Sequence, residues 1–229
     1  MGLFGLFKKS SSQNQVAQPP TDKPYSDSST NLIYNLLFCD NLYLYKVNTP
    51  PPYAYPFDIL FSDTASATEL QKIINDVTAD PRAKVLAYNL QLGRGNRPNQ
   101  KEVLAVIVEV GLDRGLDVLA SFNNGTARYI NQTGKLLIWE TTTDVRANEL
   151  TGELFARARE IVAQIGPWDK PRKPHPAKDN TRISFLVSDG LYFGEASTNV
   201  LFNDPLASGA LATAAQLMKY LTEKSLGEI

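Results

Sequence analysis

Histidine and cysteine, the residue types of most nucleophilic and metal-binding sites, each occur once among the 229 residues, as His175 and Cys39. His175 stands between two prolines in a basic segment, where we do not expect an imidazole to be held within hydrogen-bonding reach of a nucleophile. Cys39 lies in an apolar run, which is typical of a small buried side chain. The two counts exclude an intramolecular disulfide framework and a thiolate zinc cage, and we predict neither a metal ion nor a cofactor.

Carboxylates are the remaining side chains that could carry out acid–base chemistry. Asp113 and Asp117 belong to the segment GLDRGLD between two predicted strands, and Glu140 ends another predicted strand. Two convergent carboxylates can supply the acid and the base of a hydrolase. A solvated turn is the favoured interpretation of the Asp113–Asp117 segment, because the spacing of a calcium-binding loop is absent. A carboxylate-dependent hydrolase with an acidic pocket is therefore kept as an alternative function.

A proline-rich segment, PWDKPRKPHPAKD at 167–179, is basic in an otherwise near-neutral chain. Residues 168–182 contain five Lys or Arg and two Asp, whereas the whole chain has a net charge of −1 and a pI near 5.9. Proline stiffening lowers the entropy lost on binding, and the cations can engage an acidic protein surface. A semi-rigid solvated connection is the alternative, and no nucleic-acid partner is predicted. The predicted partner-binding residues are Trp168, Lys170, Arg172, Lys173 and His175.

The first nine residues combine apolar side chains with a pair of lysines, an arrangement that can lie in a membrane interface. Because so few apolar side chains are present, the expected contact is weak and peripheral, and disorder or docking on another protein is the alternative. Residues 10–30 have almost no aliphatic content, so we predict a disordered tether over 1–30 and a single α+β domain over 31–229. The predicted membrane-contact residues are Leu3, Phe4, Leu6, Phe7, Lys8 and Lys9.

Alternating and continuous apolar runs predict a mainly antiparallel sheet of about seven strands, with helices packed on it, which is an α+β fold. A central strand is followed by two βββα-like blocks, in which Asn124-Gly125 and Asp189-Gly190 form tight turns. The predicted strands are 103–112, 117–122, 126–131, 135–140, 182–188, 191–196 and 199–202. The block helices are predicted at 144–165 and from Pro205 to about Lys224.

The N-terminal half is expected to be mostly helical. A capping box formed by Ser66 and Glu69 predicts one helix, and Asp80-Pro81 begins another that ends at Gly93. Residues 31–47 are interpreted as a short helix running into a strand, and residues 56–62 as a short strand.

The order of hairpin strands and helices is similar to that of profilin-like and roadblock-type scaffolds. This similarity covers topology alone, so no functional residue is carried over. The leading interpretation is a cytoplasmic, non-enzymatic interaction or scaffold protein that presents either the basic proline segment or the uncharged last helix to a partner. The alternatives are the hydrolase and a peripheral membrane adaptor that uses the N-terminal segment.

Overall fold

The computed structural model describes residues 21–227, and its sheet is built around strand β1, Val103–Leu112. Apolar side chains point from β1 to both faces of the sheet and are buried on both, which is the expected result of a nearly continuous apolar run. Strand β2, Gly115–Phe122, pairs with one edge of β1, and β5, Asn180–Val187, pairs with the other. Both pairings are antiparallel.

The sheet has six strands in the order β4-β3-β2-β1-β5-β6, and every neighbouring pair is antiparallel. The outer strands are β3, Ala127–Ile130, β4, Leu136–Trp139, and β6, Gly190–Ser197. The edge strands of the sheet are therefore β4 and β6.

Helices cover both faces of the sheet. The N-terminal helices form one layer, and its core contains Tyr34, Leu70, Leu86 and Ile107. These helices are α1, Ser28–Leu36, α2, Leu42–Val47, α3, Phe57–Leu60, α4, Ala67–Asn75, and α5, Pro81–Gly93. The opposite layer is formed by α6, Val145–Val162, α7, Thr198–Asn203, and α8, Ser208–Leu226.

The α+β class and the antiparallel sheet are confirmed, but the sheet has six strands instead of about seven. Residues 199–202, predicted as a strand, lie in helix α7. Val200 and Phe202 are exposed and Leu201 is buried, a pattern that a single helical turn produces as readily as a strand. The second block is therefore two strands followed by two helices, and the prediction of two βββα blocks is wrong there.

Two further predicted strands in the N-terminal half are helices. Residues 56–62 contain the short helix α3. Residues 31–47 contain the end of α1 and then α2, where the strand was predicted. Asp27 caps α1 by accepting a hydrogen bond from the Thr30 N–H at 2.6 Å, and Asn41 caps α2 by accepting from Leu44 at 3.0 Å. These caps begin each helix at a residue that the apolar content of the segment did not indicate.

Several local predictions are confirmed. The capping box of Ser66 and Glu69 begins α4, and α5 runs from Pro81 to Gly93 as expected. Helix α8 buries Ala210, Leu211 and Leu217 against the sheet and α6. The predicted boundary between the tether and the domain, at residues 30 and 31, falls inside α1.

Candidate functional site

The proline-rich segment crosses one face of the sheet, from the edge strand β6 to the end of β1. At its start the Trp168 N–H donates to the carbonyl of Leu191 in β6 at 2.7 Å, and at its end the Asp179 N–H donates to the carbonyl of Gly111 in β1 at 3.0 Å. A Cβ atom built on Gly111 would lie 2.1 Å from the carbonyl oxygen of Ala177. Glycine is therefore needed where the segment passes over β1.

Arg172 points inward, although the sequence predicts that it contacts a partner. Its side chain is 6% exposed, its Nε donates to Asp40 Oδ2 at 2.8 Å, and its guanidinium lies 3.9 Å from the centre of the Phe38 ring. A second nitrogen donates to Asn35 Oδ1 at 3.1 Å. Arg172 therefore anchors the segment to α1 and the residues that follow it.

A second buried arginine, in the sheet that the segment crosses, also holds the segment in place. Arg182 in β5 donates from Nε and Nη2 to Glu195 Oε2, at 3.0 and 2.8 Å. Its Nη1 donates to the Lys173 carbonyl, and Nη2 also donates to the Pro174 carbonyl. Glu109 Oε2 lies 3.6 Å from the same guanidinium. The main chain of the segment is thereby held by a side chain of the central sheet.

Glu109 is fully buried in β1, and its Oε1 accepts a hydrogen bond from the Tyr34 hydroxyl at 2.6 Å. Its Oε2 accepts no hydrogen bond from any residue in 21–227. Burial raises the pKa of Glu109, and the positive charge of Arg182 opposes that effect. Glu109 is not among the residues predicted from the sequence, although a single glutamate inside a ten-residue apolar strand is a visible signal.

His175, another predicted partner-binding residue, is half-buried and faces the residues that precede α1. Its Nδ1 lies 2.8 Å from Asp22 Oδ1, and its backbone N–H donates to the other oxygen of the same carboxylate. Burial favours protonation of Asp22, but the hydrogen bonds from His175 outweigh it and hold the Asp22 pKa below its usual value. His175 therefore attaches the segment to residues just before α1.

The remaining predicted residues, Trp168, Lys170 and Lys173, form with Phe193 of β6 a surface that we call the basic aromatic patch. The Trp168 and Phe193 rings meet edge to face, with centres 5.1 Å apart. The ammonium groups of Lys170 and Lys173 each lie 5.6 Å from the centre of the Trp168 ring, and Lys173 lies 5.3 Å from that of Phe193. Within residues 21–227, neither lysine forms an ion pair with a carboxylate.

The three candidate catalytic carboxylates have separate partners. Asp113 is exposed and pairs with Lys178. Asp117 accepts from the Tyr129 hydroxyl at 3.1 Å and from a backbone N–H at 2.7 Å. Glu140 is exposed and pairs with the buried Arg128. No hydrogen bond joins any two of the three carboxylates in the part of the chain that the structure describes.

Two clefts with volumes of about 950 and 590 Å³ lie at the start of β1, away from Asp113 and Asp117. Both are lined by Lys101 and Glu102, and amide side chains supply much of the remaining surface. Glu102 is the only described carboxylate in either cleft, so neither contains the pair that acid–base catalysis by two carboxylates requires.

An apolar groove of about 150 Å³ lies between part of α8 and the sheet, and Phe202, Met218 and Asp117 are among the residues that line it. Among the apolar side chains of α8, those of Ala212, Ala215 and Leu226 are exposed. The volume of the groove accommodates about one apolar side chain.

The predicted membrane-contact residues, Leu3, Phe4, Leu6, Phe7, Lys8 and Lys9, lie outside the described residues. From 21 to 227, no helix has both the length and the apolar character needed to cross a membrane. The same range contains no group of three His, Cys, Asp or Glu side chains arranged to hold a metal ion. Comparison of the sequence with models of protein families and with curated proteins gives no match.

Proposed function

We propose that this chain is a protein-interaction protein that binds an acidic segment of a partner at the basic aromatic patch. One observation carries the proposal: the ammonium groups of Lys170 and Lys173 converge on the partly exposed ring of Trp168. An acidic side chain placed there would meet two positive charges, and apolar parts of the same segment would cover the rings. Aromatic residues such as Trp168 and Phe193 are enriched at protein interfaces relative to the rest of the surface.

The way in which the patch is held supports this proposal. Arg172 and Arg182 are buried and fix the segment on both sides of Lys173. A loop that is ordered before binding loses less conformational entropy when the partner arrives. The patch therefore has the preformed geometry that a specific contact requires.

Selection from a displayed library of short random peptides on the full chain tests the proposal. We expect the recovered peptides to be enriched in Asp and Glu, and the double substitution Lys170→Glu/Lys173→Glu to weaken their binding by about tenfold or more. That loss corresponds to at least about 1.4 kcal/mol, which two reversed contacts at an exposed site can supply. Binding is measured by fluorescence anisotropy of a labelled acidic peptide from the selection.

The matched control is Lys72→Glu/Lys135→Glu, which changes the net charge equally at two exposed lysines outside the patch. It should leave the affinity within about twofold of the wild-type value. The proposal is wrong if the selection shows no acidic enrichment, or if both double substitutions weaken binding to the same extent.

A further inference from the structure

Strand β6 leaves one of its sides without a neighbouring strand. It pairs with β5 on its inner side, and on its outer side Trp168 forms a single bridge to Leu191. In an antiparallel pair, the N–H and C=O groups of one residue point to the same side, and successive residues alternate. Because the Leu191 carbonyl points outward to Trp168, the backbone groups of Phe193 and Glu195 also point outward.

These outward groups of Phe193 and Glu195, which we call the open edge, have no backbone partner among residues 21–227. Gly194, between them, has no atom within 4 Å of the position that a Cβ would occupy, so the opposite face of β6 is open at this point. Natural sheets usually protect such an edge with proline, a bulge, a free charge or a covering segment. Here the Glu195 carboxylate is already bound to Arg182, and Trp168 covers only the beginning of the strand.

The open edge and the basic aromatic patch are adjacent, because Phe193 belongs to both. We propose that the acidic partner segment binds as an added strand along β6, with its backbone paired to the open edge. This inference rests on the proposed function and specifies how the same surface binds its partner. Strand addition obtains affinity from backbone hydrogen bonds and selectivity from alternate side chains.

The side-chain register explains why the added strand should be acidic. Phe193 and Glu195 share the sheet face of Ser184 and Arg182, across which the proline-rich segment runs. Alternate side chains of an added strand would project to this same face. They would lie beside the ammonium groups of Lys170 and Lys173, where Asp or Glu complements the charge.

Amide hydrogen exchange of the full chain, measured by NMR, tests the inference with the tightest acidic peptide from the display selection as the probe. In the free protein the Phe193 and Glu195 amides should exchange quickly, while Tyr192 and Gly194, which point toward β5, should be protected. Saturating peptide should slow exchange at Phe193 and Glu195 by tenfold or more. The amides of β4, the other edge strand, are the internal control and should not change.

A second measurement changes the peptide backbone instead of the protein. Two forms of the same peptide are made, with N-methyl groups on alternate residues in the two possible phases. Only one phase removes the donors that face β6, so one form should bind at least tenfold more weakly than the other. Equal affinities, or unchanged exchange at Phe193 and Glu195 in the complex, would overturn strand addition. The proposed function would still stand if Lys170→Glu/Lys173→Glu abolished binding of the unmethylated peptide.

Discussion

Replacing Arg172 by alanine tests whether the proline-rich segment is anchored or free. The side chain is 6% exposed, donates to Asp40 at 2.8 Å and to Asn35 at 3.1 Å, and lies 3.9 Å from the centre of the Phe38 ring. Arg172→Ala removes all three contacts and leaves the Asp40 carboxylate without its cation. The free energy of unfolding should therefore fall substantially.

The size of this decrease follows from the burial of the two partners. Removing one member of a buried ion pair costs about 3–5 kcal/mol, because the other charge is left without compensation. The side chain of Asp40 is 25% exposed, so water can replace part of the lost interaction and favours the lower end of that range. The stacked guanidinium on Phe38 contributes up to about 2 kcal/mol when it is desolvated. We expect a loss of about 3 kcal/mol, since such contributions are not additive.

Urea denaturation at neutral pH measures this loss as a lower midpoint with an unchanged slope. Lys173→Ala is the matched control one position away, and it should change the free energy of unfolding by less than about 0.5 kcal/mol because Lys173 is exposed. Arg172→Lys should recover only part of the stability, since an ammonium group cannot reproduce the planar contacts of the guanidinium. A loss below about 1 kcal/mol for Arg172→Ala would show that the segment is not anchored through this residue.

Two further substitutions examine the contacts beneath and beside the segment. Burial raises the pKa of Glu109, so the folded state binds this proton more tightly than the unfolded state does, and wild-type stability decreases as the pH rises above the usual value of 4.5. The glutamine of Glu109→Gln cannot ionise, so this variant should gain stability relative to wild type between pH 4.5 and about pH 8. The gain is about 1.4 kcal/mol for each tenfold difference in proton affinity between the folded and unfolded states. Urea titrations at both pH values measure the difference, and a relative loss would contradict the raised pKa. Gly111→Ala should lower the free energy of unfolding by about 1–3 kcal/mol, because its Cβ would overlap the Ala177 backbone. Gly194→Ala, where the space is open, is the control in the same denaturation assay, and an equal loss from the two substitutions would argue against the close contact.

Local signals in the sequence were sufficient to predict many of the strands, turns and helices of the fold. The ten-residue run of β1 and the turns at Gly125 and Gly190, whose φ values are 87° and 139°, predicted the strands and hairpins around them. The capping box at Ser66 likewise predicted the start of α4. Each signal acts through neighbours in the chain, so its outcome depends little on the rest of the fold.

Short apolar segments were not predictable in the same way. Residues 56–62 and 199–202 are too short to distinguish a two-residue period from a helical one. In α7 the buried Leu201 lies between two exposed apolar residues. The contacts of α7 with α8, β6 and β5 favour the helix, and its own apolar pattern does not show them. This ambiguity explains the strand-count error.

Composition identified the proline-rich segment as unusual, but it could not show which of its cations face outward. The partner of Arg172 is Asp40, 132 positions earlier in the chain, and that of His175 is Asp22, 153 positions earlier. No spacing rule connects residues so far apart. The buried Glu109 in β1 was the one local indication that a cation had to lie nearby.

The burial of Arg172 and Arg182 also changes how we expect this surface to recognise a partner. Residues 168–182 have a formal excess of three positive charges, yet Arg172 and Arg182 face buried or half-buried carboxylates and Lys178 pairs with Asp113. Lys170 and Lys173 are then the cations that can act on a partner, and the screening length at physiological salt is only about 8 Å. An acidic partner would therefore be distinguished at short range, by contact with the aromatic rings and the open edge, and its affinity should depend less on salt than three free charges would require.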